Sequence, residues 1–472
     1  MNWPSLLQIA DDVKQQKMTA QEQVEKALSI IDEHAEFQAV IAKTEKRARE
    51  RAQQIDNTIA EGGNPGRLAG VPFIAKDNFL VFGADTTAAS NILKGFEAPY
   101  QATAIERLEA EGAICVAKAN LDAFAHGAST ENSDFFVTKN PHDTQRVAGG
   151  SSGGSAASVA LRLAPFALGT DTGGSIRQPA SFCGVVGLKP SYGLVSRSGV
   201  VAMASSTDVI GPIAATVEDA AQVLDVIAGQ DSLDGTTIKR QESYSELDDT
   251  LVGKKIGIIK EYFGEGLNED VRTTVEAAID QMKKAGAELV EVSLPSLPLA
   301  LAVYYIVCPA EVSSNLARYD GQRFGYATNN AQTLDESYEK SRQEGFGSEA
   351  KRRIMIGTYV LSSGYYDAYY KKAQTVRTKL INEFNEVFKN VDFLVGPVAP
   401  TTAFKIGENT TDPLAMYLGD VMTVGPSMVG VPAISVPCGE ADGLPVGLQL
   451  VAQQRRDKEL LGLANGYEEL VR

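Results

Sequence analysis

Cysteine and histidine are scarce in this chain, and their scarcity narrows the chemistry that it can perform. Its 472 residues include only 4 cysteines and 3 histidines. The cysteines stand far apart with no C-x-x-C pair, which argues against the common zinc and disulfide frameworks. The histidines, His34, His126 and His142, accompany no G-x-S-x-G motif, so a Ser-His-Asp hydrolase is not indicated. No H-E-x-x-H motif or clustered carboxylate set suggests a metal, and we expect none.

Long apolar runs are missing as well. No stretch contains eighteen consecutive apolar residues, and the start "MNWPSLLQIADDVKQQK" has no basic segment followed by an apolar one. Together with cysteines that we expect to be reduced, these observations predict a cytoplasmic protein that does not enter a membrane.

Basic residues are outnumbered by acidic ones. The sequence has 44 Lys and Arg against 60 Asp and Glu, a net charge of -16. Binding to nucleic acid or to an anionic membrane needs basic surface that displaces counterions. We therefore expect any polyanionic partner to be held by another chain.

The order of predicted elements favours an α/β fold. The segment "TAQEQVEKALSIIDEH" places Thr19 and Glu22 in capping-box spacing and predicts an amphipathic helix. Strand-like segments such as "GVPFIAK", "ICVAKAN", "KIGIIK" and "VDFLVGP" alternate with helical ones, and a Pro/Gly-rich tail closes the sheet. Residues 231–250 look like a polar surface connection, and residues 300–390 look mostly helical. We predict one domain over residues 1–472, with two domains as the alternative.

Two glycine- and serine-rich segments lie within residues 149–180, "GGSSGGSAASVALRLAPFALGTDTGGSIRQPA". They are joined by one apolar stretch of helix length, whereas a flexible linker would be polar throughout. Neither segment carries the lysine of a phosphate-binding loop, which disfavours nucleotide binding. Once a Ser-His-Asp triad, a metal site and nucleotide binding are disfavoured, a serine nucleophile without histidine is the remaining candidate. Such a serine needs another base to accept its proton.

Lys76 is the candidate base because it ends an otherwise apolar strand, where burial would lower its pKa towards neutrality. The glycines of "DTGGS" would let successive N–H groups point at one developing oxyanion. Those N–H groups belong to Thr172, Gly173, Gly174 and Ser175. Simpler interpretations exist: a lysine whose head reaches water, a plain tight turn at Ser175, and Ser151 as a helix cap.

These residues resemble the defining signature of the amidase signature family. Both glycine- and serine-rich segments and their spacer match it, and Lys76 lies 75 residues before Ser151, which lies 24 before Ser175. The resemblance implies a mixed central β-sheet flanked on both faces by α-helices, with its signature core at about residues 70–215. It also implies Ser175 as the nucleophile, Ser151 as a relay that follows a cis peptide bond, and Lys76 as the base.

Within that family, most of the chain is similar to the glutamine-hydrolysing A subunits of amidotransferases that act on glutamyl- or aspartyl-tRNA. Segments such as "STENS", "EGFGSEAKRRIMIGTY" and "LSSGYYDAYYKKAQ" carry this similarity. The resemblance implies glutamine as substrate and a heterotrimer with B and C subunits. No cofactor is expected in this chain, because ATP, Mg²⁺ and the tRNA would be held by the B subunit.

The same resemblance assigns the recognition of glutamine's α-amino and α-carboxylate groups to Tyr304, Arg353 and Asp420. A shift in register would substitute Tyr305 or Arg352, and both alternatives stay open. A guanidinium suits a carboxylate and a carboxylate suits an ammonium group.

Several positions depart from the family pattern. Phe73, His126 and His142 stand where a smaller residue, methionine and tryptophan are more usual, and the chain ends at "LANGYEELVR", earlier than expected. These departures leave the predicted triad intact. A stand-alone amidase acting on another small carboxamide and a catalytically silent scaffold protein remain as alternative functions.

Overall fold

A single sheet of 11 strands organises the part of the chain that the computed structural model describes, residues 3–240, 242–410 and 412–472. The strands are β1 (Val40–Lys43), β2 (Pro72–Lys76), β3 (Ile114–Ala119), β4 (Phe166–Asp171), β5 (Val186–Lys189), β6 (Val209–Ala214), β7 (Lys255–Ile259), β8 (Glu288–Val292), β9 (Phe393–Pro397), β10 (Ala433–Ala441) and β11 (Leu444–Ala452). Their order across the sheet is β1-β3-β2-β4-β6-β5-β10-β11-β9-β7-β8.

The sheet is mixed, as predicted. Strand β2 runs parallel to both β3 and β4, and β7 runs parallel to β8 and β9. The remaining neighbours are antiparallel, including the hairpin of β10 and β11 that the Pro/Gly-rich tail forms. Because β2 and β4 are parallel neighbours, the chain leaves both strands at the same edge of the sheet.

Helices flank the sheet on both faces. They are α1 (Leu6–Lys14), α2 (Ala20–Glu33), α3 (Glu45–Ala60), α4 (Thr103–Ala110), α5 (Gly153–Ala160), α6 (Arg177–Cys183), α7 (Val217–Ile227), α8 (Glu269–Lys284), α9 (Ala300–Leu316), α10 (Leu334–Gly345), α11 (Ser348–Leu361), α12 (Lys372–Val387), α13 (Pro413–Leu418), α14 (Val424–Val429) and α15 (Asp457–Val471). The predicted capping box of α2 is present: the Thr19 side chain accepts from the Glu22 N–H, and the Glu22 carboxylate accepts from the Thr19 N–H.

The centre of the sheet is buried on both faces. Every residue of β2, β4 and β6 is buried, which fits strands covered by helices on either side. Helix α5 packs against β2 and β4, and α6 packs against β5, β10 and β11. Helix α5 therefore lies directly on β2 and β4, the two strands that lead to Lys76 and to the loop of Ser175.

The apolar stretch between the two glycine- and serine-rich segments has the length of one helix but does not form one. It forms α5, a short turn, and then strand β4. Pro165 stands just before β4, and a residue that precedes proline is disfavoured in helical conformation. The second segment is therefore carried by a strand end rather than by a helix end.

The structure also shows the secondary structure of two other segments for which we made predictions. Residues 231–250 form turns and loops without a named helix or strand, leaving aside residue 241, which lies outside the described residues. Residues 300–390 are mostly helical, from α9 to α12. The stretch Leu297–Leu316 has the length and mean hydropathy, 1.4, of a membrane-spanning helix, but half of it is buried, and α9 packs against α11, α12 and α14.

Candidate active site

Lys76 lies at the end of β2 and is fully buried, with 0% of its surface exposed. Its Nζ is 2.8 Å from Ser151 Oγ, 2.9 Å from Ser152 Oγ and 2.9 Å from Thr170 Oγ1. Burial lowers the pKa of Lys76 from 10.5 to about 7, although nearby carboxylates oppose the effect. The alternative of a lysine whose head reaches water is therefore wrong.

Three hydroxyl contacts suit an amine that is neutral for part of the time. An ammonium group can only donate, whereas a neutral amine donates twice and accepts once. The hydroxyl of Ser151 can thus give its proton to Lys76 in one state and accept a hydrogen bond from it in the other. The contact between Ser151 and Lys76 fits the last step of a proton relay that ends on the lysine.

Ser151 follows a cis peptide bond from Gly150, as the resemblance implied. Gly150 is closely surrounded: a Cβ at this position would overlap the carboxylate of Asp122 and lie 2.6 Å from the Ser129 nitrogen. The Ser151 hydroxyl is bound to Lys76, so Ser151 is not a helix cap. Ser152 occupies the N-cap position of α5, and its hydroxyl likewise lies within hydrogen-bond distance of Lys76 Nζ.

Ser175 lies in the loop between β4 and α6, and its carbonyl accepts the N–H of Ser152 at 3.0 Å. This hydrogen bond joins the two glycine- and serine-rich segments directly. Ser175 is 6% exposed. Among the described residues, none accepts a hydrogen bond from the N–H groups of this loop, those of Thr172, Gly173, Gly174 and Ser175. Unengaged donors of this kind are what an oxyanion site requires, and their role remains a prediction.

A buried ion pair that the sequence analysis missed holds both ends of this loop. Arg177 Nη2 lies 2.9 Å from Asp171 Oδ1 and Arg177 Nε lies 3.0 Å from Asp171 Oδ2, and both side chains have 0% exposure. Arg177 also donates to Gln449 Oε1 at 2.6 Å and to Ser427 Oγ at 2.8 Å. The sequence signal that could have revealed this ion pair is the arginine six residues after an aspartate in "DTGGSIR".

Two of the predicted substrate-binding residues, Tyr304 and Asp420, lie next to the same loop. Tyr304, from α9, packs over Gly173, where a Cβ would lie 2.8 Å from the tyrosine Cζ. A Cβ at Gly174 would lie 3.4 Å from Asp420 Oδ1. Burial raises the pKa of Asp420 to about 7. Two of the three predicted residues therefore lie beside the glycines that precede Ser175.

Arg353, from α11, is 2% exposed and donates from Nε to Glu349 Oε1 at 2.9 Å. Its guanidinium carbon lies 5.4 Å from the ring centroid of Tyr305, a distance typical of cation–π contacts. Tyr305 in turn donates to Asp420 Oδ2 at 3.3 Å.

The two register alternatives differ in outcome. The Arg352 side chain is 43% exposed and pairs with Glu349 at the helix surface, so Arg353 is the arginine that faces the site. Tyr304 covers the loop and Tyr305 bridges Arg353 and Asp420, so the contact of either tyrosine with substrate stays a prediction.

From the sequence we also predict that the histidines form no Ser-His-Asp triad and that the chain binds no metal. His34 caps the end of α2, and His142 Nε2 lies 3.0 Å from the Cys183 carbonyl oxygen. No group of three or more His, Cys, Asp or Glu side chains in the described ranges could hold a metal ion. That this chain uses no metal remains a prediction.

The chain belongs to the amidase family. The family profile named Amidase matches residues 22–461. The chain is 52% identical over 460 residues to the A subunit of glutamyl-tRNA(Gln) amidotransferase from Geobacillus kaustophilus, covering 97% of this chain and 95% of the relative.

Solved structures agree with this assignment. The crystal structure of the A subunit of glutamyl-tRNA(Gln) amidotransferase from Thermotoga maritima is similar with a TM-score of 0.79 and 39% identity, covering 96% of this chain and 94% of that one. A bacterial aryl acylamidase of the amidase signature family is similar with a TM-score of 0.88 and 25% identity, over 99% of this chain and 96% of that one. The chain is thus an amidase whose curated relatives carry the name of a component of a tRNA amidotransferase.

Proposed function

We propose that this chain is the glutamine-hydrolysing A subunit of a glutamyl-tRNA(Gln) amidotransferase. The observation that carries the proposal is the carboxylate of Asp420 beside the loop of Ser175, linked to the buried guanidinium of Arg353 through Tyr305, which donates to Asp420 and lies against Arg353. Such a pair matches the two charged groups that distinguish an amino-acid amide from a simple amide. The name shared by relatives at 52% identity gives independent support.

The reaction would proceed through an acyl-enzyme. Ser175 Oγ attacks the side-chain carbonyl of glutamine, and its proton passes through Ser151 to neutral Lys76. The developing oxyanion is stabilised by the free N–H groups of the loop. Collapse of the intermediate breaks the C–N bond, and the proton returns through Ser151 to the leaving ammonia. Water then hydrolyses the ester to glutamate and frees Ser175.

The ammonia would be used by partner subunits. The net charge of -16 is unsuited to holding tRNA, which carries a dense negative charge of its own. We therefore place the tRNA, ATP and Mg²⁺ on a B subunit, with a small C subunit completing the heterotrimer. The four cysteines are unpaired in the structure, which suits a reducing compartment such as the cytoplasm.

Reconstitution with B and C subunits tests the proposal. The Ser175→Ala variant should lose glutamine-dependent amidation of misacylated tRNA by at least about a hundredfold and keep amidation driven by added ammonium salt. Ser158→Ala serves as the matched control, because the hydroxyl of this buried serine of α5 is satisfied by the Gly154 carbonyl. Unchanged glutamine-dependent amidation in Ser175→Ala would contradict the proposal and favour a silent scaffold.

The alternative of a stand-alone amidase is supported by the similarity to the aryl acylamidase. It predicts that the isolated chain hydrolyses diverse amides at comparable rates and that Arg353→Met affects none of them. The glutaminase proposal predicts instead that glutamine is strongly preferred and that Arg353→Met raises its KM. A panel of amides assayed with both proteins separates the two functions.

A further inference from the structure

A cavity lies behind the segment that carries Asp420, and the proposed reaction does not use it. Its volume is about 370 Å³. Ligand cavities of proteins begin at roughly 300 Å³, so this one is large enough to receive side chains from another molecule. Its apolar lining residues are Leu297, Pro298, Pro400, Leu418, Val421 and Met422.

The apolar surface continues from the cavity to the outside of the protein. Leu418, the last residue of α13, lines the cavity and is 46% exposed. Leu414 lies four residues earlier on the same helix and is 62% exposed. Residues four apart share one face of a helix, so α13 adds exposed apolar surface at the mouth of the cavity. A surface of this extent fits a segment of polypeptide better than a small molecule.

The charged groups that line the cavity are acidic. They are Glu261 and Glu265, and no lysine, arginine or histidine of the described residues lines it. Arg272 approaches the same turn, but it is paired with Glu269 at 3.2 Å and donates to two carbonyl oxygens. A second copy of this chain is an unsuitable occupant, because a symmetric contact would bring the same carboxylates together and each copy has a net charge of -16. A partner with lysine or arginine beside its apolar side chains complements the cavity.

The cavity and the active site share a wall. Val421 and Met422, which line the cavity, directly follow Asp420. The next residue, Thr423, donates from its hydroxyl to a carbonyl oxygen in the loop of Ser175 at 2.6 Å. The segment therefore contacts the cavity through its apolar side chains and the catalytic loop through a polar one.

We propose that this cavity is the docking site of the B subunit, which inserts a segment with apolar side chains and an adjacent lysine or arginine. The inference rests on the proposed amidotransferase function. A subunit that holds tRNA needs basic surface, and such a surface complements Glu261 and Glu265. Docking here places the partner against the wall that carries Asp420, so assembly and glutamine binding involve one structural element.

Substitutions at the mouth of the cavity test the docking site. Leu418→Arg removes an exposed apolar side chain and places a positive charge against a basic partner, so it should weaken association with the B and C subunits at least about tenfold. Glu265→Lys should also weaken association, most strongly at low salt. Leu470→Arg is the matched control, because Leu470 is 44% exposed near the end of α15, and it should leave the affinity unchanged.

Titration calorimetry measures the dissociation constants, and thermal unfolding checks that each variant is as stable as the parent. The inference is overturned if Leu418→Arg and Glu265→Lys both associate like the parent. It is also overturned if Leu470→Arg weakens association as much as Leu418→Arg does.

Photo-crosslinking identifies the occupant and separates this inference from the proposed function. Benzoylphenylalanine in place of Leu418 should form an adduct with the B subunit in the assembled complex, whereas the same group in place of Leu470 should form none. An adduct with the C subunit or with a second copy of this chain, or no adduct in a complex that amidates tRNA with glutamine, refutes only this inference. Failure of the unmodified chain to assemble with the B and C subunits refutes the proposed function as well.

Discussion

The pH dependence of glutamine hydrolysis should report the titration of Lys76. The relay needs the neutral amine, because only this form accepts the proton that Ser175 releases through Ser151. Burial lowers the pKa of Lys76 from 10.5 to about 7, and the three hydroxyls within 2.9 Å leave the amine without a carboxylate partner. Activity should therefore be lost as the pH falls through about 7.

The size of the effect follows from the two pKa values. The fall from 10.5 to about 7 corresponds to about 5 kcal/mol in favour of the neutral form. About half of the enzyme would carry neutral Lys76 at pH 7, about nine tenths at pH 8 and about one tenth at pH 6. With an ordinary lysine pKa, only about one molecule in three thousand would be active at pH 7, and the rate would keep rising towards pH 10.

The assay must separate Lys76 from other groups that titrate near neutrality. Burial also brings the pKa of Lys189 to about 7, and it raises that of Asp420 to about 7. We would measure kcat, because the proposed contact of Asp420 with the substrate ammonium would lower its pKa in the glutamine complex, so that it no longer titrates near pH 7. Lys189→Met is the control for the second lysine, and it should leave the midpoint in place.

Three outcomes would refute this reasoning. They are a kcat that is constant between about pH 6 and about pH 8, a midpoint that disappears in Lys189→Met, and near-normal activity in Lys76→Arg. The last outcome counts because a guanidinium cannot lose its proton at these pH values.

Two further substitutions test the loop of Ser175. Arg177→Met should lower the free energy of unfolding by about 3–5 kcal/mol, because it leaves the fully buried Asp171 charge unpaired. Adding Asp171→Asn to the same chain should restore part of this stability in denaturant titrations. An Arg177→Met variant as stable as the parent would contradict the account. Gly174→Ala should reduce kcat strongly, because the residue has φ of 155° and a Cβ would overlap Thr423 Oγ1. Gly407→Ala, also at positive φ but facing open space, should leave kcat unchanged, and equal effects of the two substitutions would refute the steric argument.

Much of the fold could be predicted because its signals are local. Strand β2 is apolar up to Lys76 at its end, and a capping box and an apolar stripe predict α2. The position of Lys76 at a strand end is visible for the same reason. That β2 and β4 are neighbours is a long-range fact, and only this pairing explains why Lys76 meets Thr170.

The errors and omissions also have physical causes. The apolar stretch between the two glycine- and serine-rich segments was given no assignment, because apolar content alone does not distinguish one helix from a short helix followed by a buried strand; Pro165 is the sequence signal that separates the two. Ser152 and Thr170 were missed because hydroxyl residues are common in turns and strands, and only the fold shows which of them reach the lysine.

The low pKa of Lys76 depends on how the surrounding carboxylates are occupied. Asp122, Asp171 and Asp208 all act to raise this pKa, yet burial outweighs them. Each has other partners: Asp122 accepts backbone N–H groups at 2.9 and 3.1 Å, Asp171 pairs with Arg177, and Asp208 accepts the Thr172 hydroxyl at 2.8 Å. Without Arg177, Asp171 would act on the amine with no guanidinium opposing it wherever it stays ionised, and would there favour the ammonium form. We therefore predict that Arg177 acts on Lys76 through Asp171, and that Arg177→Met moves the midpoint of kcat to higher pH in addition to destabilising the loop.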